Sequence, residues 1–230
     1  MENPFKFGGV VRGRFFADRK QELDELSREM INLSRIFLIS PRRYGKTCLL
    51  FNLMDRLEDI GIVSAYIDLN AYPSLGNLAE AYTHRTTKAL ETNSDKLMKI
   101  FSSLRLLRPK ISVGPNGSMS AGVEVVVKEK ASLSAMIEGM NHAARLAAKQ
   151  NRKLVVIIDE FSDLEKFNGQ TVEKALRSEI QKQAHIGYIF SGSEQSTMLA
   201  MTRDRARPFY KLGRIMELGP IDRKPYASFI

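Results

Sequence analysis

The stretch SPRRYGKT, Ser40 to Thr47, follows a short apolar run, RIFLI, and opens onto a second apolar stretch. A loop between a buried strand and a helix can turn its backbone N–H groups toward an anion, and the positive end of the helix strengthens the attraction. Gly45 permits a tight backbone approach, Lys46 is placed to reach the outer phosphates of a polyphosphate, and the Thr47 hydroxyl can ligate Mg²⁺. The spacing Ser40-x4-Gly45-Lys46-Thr47 is that of a phosphate-binding loop with serine in place of its first glycine. Serine is small, though its backbone is less free than glycine's. The candidate binding loop is therefore Ser40, Pro41, Arg42, Arg43, Tyr44, Gly45, Lys46, Thr47 and Cys48. Within it, Cys48 reads as a small packed residue and not as a nucleophile.

A second constellation agrees with the first. LVVIIDE, Leu154 to Glu160, is a buried strand that delivers two carboxylates. Asp159 is placed to hold the metal beside Thr47, and Glu160 to orient and polarise an attacking water. A third strand, in YIFSGS, carries a serine at its tip, Ser191 or Ser193, where it could meet that water or the last phosphate. Arg203, Arg205, Arg207 and Arg214 offer positive charge to a transition state, or form an ordinary solvated surface.

The elements that must position these groups alternate. Asp18 to Ile31 repeats Leu23, Leu26 and Met30 at helical spacing, with Asp18 as its cap. Arg35–Ile39, Ile62–Asn70, Leu154–Ile158 and Ile186–Phe190 read as short strands; Thr47–Leu57, Leu75–Leu90, Ser132–Gln150 and Val172–Gln183 read as helices, with Lys96–Leu107 weaker. This order predicts an α/β domain with a mostly parallel sheet covered on both faces. Ile111–Val127, with its Pro-Asn-Gly turn and Val-rich right arm, predicts a β-hairpin inside an insertion over about 93–130.

Composition narrows the class. The 230 residues are 43% hydrophobic, enough for one sizeable domain, and the lone Cys48 suits a reducing, cytoplasmic setting. No apolar run reaches the eighteen or so residues of a membrane span, and the amino terminus lacks the order of a secretory signal. His84, His142 and His185 show no metal-ligand spacing. The net charge of +9 favours anionic partners, but the cations are spread along the chain.

SPRRYGKT, LVVIIDEF, YIFSGS, RPFYKLGRIMELGPI and the opening FFADRKQELDEL together resemble the prokaryotic AAA+/STAND ATPases, a group akin to origin-recognition-type initiators and often called the archaeal ATPase family. The resemblance covers about Phe16 to Ile221. It implies a P-loop NTPase of the AAA+/ASCE type with a five-stranded sheet, a central P-loop strand, the aspartate strand beside it, and one extra strand between the P-loop strand and its sequence neighbour. It further implies that Lys46 binds phosphate, Thr47 and Asp159 hold Mg²⁺, Glu160 is the base, Ser191 is the sensor, and Phe16 and Arg19 lie near adenine. Members continue into a helical lid and a winged-helix domain. By that pattern 1–33 leads into a core spanning 34–221, 222–230 begins a lid, and the natural protein continues beyond Ile230.

The expected activity is Mg²⁺-dependent binding and hydrolysis of ATP, with ADP as product, driving a switch or remodeller. The expected partners are ATP, a homo-oligomer, and DNA or a protein reached through the carboxy-terminal region. Two alternatives stay open. One is a nucleic-acid-binding module in which ATP is only regulatory; the other is a nucleotide-gated scaffold that self-associates.

Overall fold

The computed structural model describes residues 9–13, 16, 19–91 and 121–221. Helix α1 (Lys20–Ile31) leads into β1 (Arg35–Ile39), α2 (Lys46–Asp59), β2 (Val63–Asp68) and α3 (Leu75–Leu90). Then follow α4 (Ala121–Lys149), β3 (Leu154–Asp159), α5 (Gly169–Lys182), β4 (Ile186–Gly192), α6 (Gln195–Arg203) and β5 (Arg214–Glu217).

The five strands form one sheet in the order β2-β3-β4-β1-β5, and every pairing is parallel. A parallel sheet must be covered on both faces, because each crossover places its helix on one of them. The side chains sort by period two, as a pleated strand requires. Leu154, Val156 and Ile158 of β3 join Phe37, Ile39, Tyr188 and Phe190 in the core under α3, α4, α5 and α6. Val155 and Ile157, with Ile36, Leu38 and Ile189, face the opposite way into the core under α1 and α2. β3 and β4 are buried along their whole length, whereas β2, at the sheet edge, alternates.

This parity decides which polar residues can meet. Asp159 continues the series Val155, Ile157; Ser191 continues from Ile189; and Tyr66 and Asp68 oppose Ala65 and Ile67, which belong to the other core. All four therefore project toward α2, the helix that begins at Lys46.

Several expectations are corrected. The aspartate strand is not beside the P-loop strand: β4 pairs with both β1 and β3 and separates them. Two strands, not one, lie between β1 and its sequence neighbour β2, and β4 holds the central place. The right arm of the expected hairpin, Ala121–Val127, is helical, forming the first turns of α4. Ser132 is accordingly inside that helix and does not cap it. The hairpin's turn and left arm, Lys96–Leu107, Asp18 and 222–230 lie outside the described residues. The position ahead of α1 is Arg19, whose side chain makes no capping bond. Among the described residues, no helix is long and apolar enough to cross a membrane.

Candidate active site

The loop leaves β1 at Ser40, whose amide donates to the Gly192 carbonyl at the end of β4 (3.2 Å) and whose hydroxyl donates to the Pro41 carbonyl (3.1 Å). Ser40 is thus a fully buried anchor. The chain then turns through two left-handed residues, Arg43 (φ +68°) and Gly45 (φ +79°), before α2 starts at Lys46. Glycine takes that conformation without steric cost. The first-turn amides of a helix have no acceptor within it, and no side chain caps the start of α2, a setting that suits an anion. Arg42 and Arg43 are exposed, and neither makes an ion pair among the described residues.

Lys46 is only 7% exposed. Its ammonium donates to Asp159 Oδ1 (2.8 Å) and to Glu160 Oε1 (3.1 Å). Asp159, 3% exposed, is held at both oxygens. Its Oδ1 also accepts from the Ser191 hydroxyl (2.7 Å) and the Glu160 amide (3.0 Å), and its Oδ2 accepts from the Tyr66 phenol (2.7 Å). Burial alone pushes the Asp159 carboxyl up, but the Lys46 ammonium and the bonds from Lys46, Tyr66 and Ser191 hold it below the usual carboxylate range.

Glu160 stands at φ +49°, ψ +45°, a left-handed conformation that a non-glycine residue adopts at a cost. The twist takes it out of the strand's alternation. Its Oε2 accepts from the Ser193 hydroxyl (2.8 Å) and the Ser193 amide (3.3 Å). Asp68, paired with Asp159 in the strand register, adds a third carboxylate. Burial and then the neighbouring Asp159 and Glu160 raise its carboxyl, against the Asn70 amide that it accepts from at 3.0 Å.

Of the expected site residues, the structure brings Lys46, Asp159, Glu160 and Ser191 together, with Thr47 beside Lys46. Ser191 is fully buried and bonded to Asp159, so it faces the carboxylate and not open space. Cys48 accepts a bond from the Val11 amide (3.4 Å), a packing contact. The Arg19 guanidinium donates to the Tyr44 carbonyl (3.0 Å) and the Gly219 carbonyl (2.6 Å), tying the loop to the chain beyond β5. Phe16 is partly buried against the α2-side core. Of the distal arginines, Arg203 pairs with Glu217, Arg207 with Glu165 and Glu173, and Arg214 with Glu25 and Glu29. Arg205 alone of the four makes no ion pair among the described residues.

Sequence reasoning missed Tyr66 and Asp68. The signal was present as YID, a phenol and an acid two residues apart on one strand face.

Residues 16–224 match the family described as an ATPase domain predominantly from Archaea. The chain belongs to that family. It is an ATPase domain built on a five-stranded parallel sheet. Its fold is similar to that of the Walker-type ATPase PABY2304 of Pyrococcus abyssi, at 17% identity and a TM-score of 0.62, covering 99% of this chain and 60% of that one. It is also similar to the Aeropyrum pernix ORC2 protein solved as ADPNP–ADP complexes (14% identity, TM-score 0.56, 88% and 48% covered). The Aeropyrum pernix ORC1 protein in complex with DNA is a third (13%, 0.55, 96% and 49%). The chain spans roughly half to three fifths of the length of those structures. No curated protein sequence matches it.

The residues present suit a magnesium ion. The donors are hard oxygens, the Asp159 carboxylate and the Thr47 hydroxyl, and among the described residues that hydroxyl makes no hydrogen bond. One ammonium also faces three carboxylates, Asp68, Asp159 and Glu160, an excess of negative charge that a divalent cation would offset.

Proposed function

We propose that the domain binds ATP with Mg²⁺ at the carboxyl edge of the sheet, hydrolyses it, and uses the two nucleotide states as a conformational switch. One observation carries this reading: the Lys46 ammonium contacts both strand-end carboxylates, Asp159 at 2.8 Å and Glu160 at 3.1 Å. The loop amides and the start of α2 receive the phosphates. Lys46 then exchanges its carboxylate partners for β and γ phosphate oxygens. Thr47 and Asp159 would hold a magnesium ion, which would supply neutralisation of the charge on the phosphates during in-line displacement. Glu160, freed from Lys46 but still held at Oε2 by Ser193, orients the water and accepts its proton.

The same exchange supplies the switch. Without nucleotide, Lys46 is locked to Glu160; with a γ-phosphate in place, Glu160 is released on one side only. Elements that contact these residues, β4 beyond Ser191 and the turn after β3, change their hydrogen bonds with the phosphate state.

Phosphate release by the wild type in Mg²⁺ and in a chelator, beside Glu160→Gln, tests the reading. Turnover is expected only with the metal, and Glu160→Gln is expected to bind ATP while losing about 10²–10⁴-fold in rate. Equal turnover in Glu160→Gln would remove Glu160 from its role; metal-independent turnover would remove magnesium.

A second reading, a surface for DNA or another polyanion, has its own support. Lys174, Arg177, Arg205 and Arg207 line one groove, and Lys174 and Arg205 make no ion pair among the described residues. Binding that weakens steeply with added salt would favour it, and salt-insensitive binding would count against it.

A further inference from the structure

The carboxylates at the sheet's edge outnumber the cation that serves them. Lys46 divides its ammonium between Asp159 at 2.8 Å and Glu160 at 3.1 Å. Asp159 takes further donors from Ser191, the Glu160 amide and Tyr66, and Glu160 is held on its other oxygen by Ser193. Asp68 shares in none of this. Among the described residues it makes no ion pair, and the hydrogen bond it accepts comes from the Asn70 amide at 3.0 Å, two positions along its own chain.

Its placement is nonetheless that of a site residue. Asp68 ends β2 opposite Asp159 in the parallel register, so the two side chains leave neighbouring strands on the same side. That side looks toward α2, because Ala65 and Ile67 alternate into the opposite core. The charges of Asp159 and Glu160 act on Asp68 directly, and those of all three carboxylates reach the Tyr66 phenol. Asp68 is half-buried, so water and salt screen its field only in part. The sheet therefore presents, at the same edge as the phosphate-binding loop, a negative charge that no described side chain cancels.

We propose that Asp68 is a specificity-determining residue whose charge repels a metal-free triphosphate and so reserves the site for the magnesium-bound form. This rests on the reading of the loop and Asp159 as a site for ATP with Mg²⁺. Repulsion separates two ligands whenever it falls more heavily on one of them. A free triphosphate brings its full negative charge to the site, whereas a divalent ion cancels two of those charges before the carboxylates meet them. Lys46 does not remove the difference, because in turning to the phosphates it leaves Asp159 and Glu160 without their cation. Asp68 acts through its field alone and needs no contact with the nucleotide or the ion.

The test is calorimetric binding of the non-hydrolysable analogue ADPNP to the whole chain at pH 8, in a chelator and with Mg²⁺, for wild type, Asp68→Asn and Glu138→Gln. Asparagine keeps an oxygen for the Asn70 amide, so Asp68→Asn removes the charge and leaves the turn. It is expected to tighten metal-free ADPNP about tenfold and the magnesium form by less, so that the gain from magnesium shrinks. Glu138→Gln removes a charge on α4, where Arg145 pairs with it, and is expected to leave both affinities as in wild type. An unchanged magnesium gain in Asp68→Asn overturns the proposal. An equal shift in Glu138→Gln also overturns it, as an effect of net charge alone. A gain that shrinks only because the magnesium form weakens overturns it too, and makes Asp68 a metal contact. Should Asp68→Asn not fold, Asp68→Ser, whose hydroxyl can accept from the same amide, carries the same expectations. A wild type whose ADPNP affinity ignores magnesium overturns the metal reading itself, which keeps the two failures apart.

Discussion

Lys46 and Asp159, 113 positions apart in the chain, meet at 2.8 Å with both side chains almost wholly removed from solvent. Such a pair is conditional. Its two charges offset each other's desolvation, and removal of one leaves the other exposed to the full cost of burial. Lys46→Met is therefore expected to destabilise the domain by about 3 kcal/mol in urea denaturation at pH 7. Lys46→Met with Asp159→Asn is expected to recover part of that loss, because no uncompensated charge remains. A single variant as stable as wild type would mean that the pair contributes nothing in solution.

The two serines of YIFSGS should part company. Ser191 bonds Asp159 and Ser193 bonds Glu160. Ser193→Ala is expected to lower kcat about tenfold through a loosened Glu160 and to leave ATP affinity intact. Ser191→Ala is expected to weaken magnesium-dependent ATP binding instead. Steady-state kinetics beside equilibrium binding separates the two, and identical profiles would contradict the assignment.

Stability should carry an acid-side signature from His142. Burial, then Arg145, hold its imidazole below the ordinary 6.5, while Glu91 and Glu138 pull the other way; its Nε2 is buried with no hydrogen-bond partner. The folded state thus binds fewer protons than the unfolded chain between the depressed value and 6.5. Stability therefore rises with pH across that window and falls as pH drops through it. The loss of thermal midpoint between pH 7 and 5 is expected to be smaller in His142→Gln than in wild type. Parallel curves would remove His142 from the acid response.

The core beneath α3 to α6 should be sensitive at Phe190. Its ring lies 4.8 Å from Phe37, 4.6 Å from Phe161 and 5.9 Å from Phe209, all fully buried. Phe190→Ala is expected to cost about 3–5 kcal/mol by denaturant titration. Because Phe190 shares a strand with Ser191, nucleotide affinity is expected to fall with it. A loss under 1 kcal/mol would mean that the neighbours collapse into the space.

Much of this architecture was legible where burial is continuous. LVVIID could only be an interior strand, and the spacing of LGNLAEAYTHRTTKAL over Leu75–Leu90 could only be a helix with one packed face. The Val-rich run before Lys128 misled because β-branched residues favour strands only where a sheet awaits them. Here Met136, Met140, Ala143 and Ala147 repeat at helical spacing in the core shared with α3, and the helix they anchor extends back to Ala121. β5 was illegible for the opposite reason. RIME is short and half polar, and only its pairing with β1 makes it a strand.

The site followed the same rule. Lys46, Thr47, Asp159 and Glu160 sit in local motifs and could be read directly. Strand order, and with it the place of β4 between β1 and β3, depends on pairings between distant segments that no local pattern encodes. Tyr66 and Asp68 became functional candidates only when the register set them beside Asp159.

The central claim is that the loop lysine and the strand aspartate together form a triphosphate site. Calorimetric titration of the wild type and of Lys46→Ala with ATP and Mg²⁺ tests it most directly. Saturable one-to-one binding by the wild type, weakened about a hundredfold or more in Lys46→Ala, is the expected result. Equal affinity in the two proteins would contradict it.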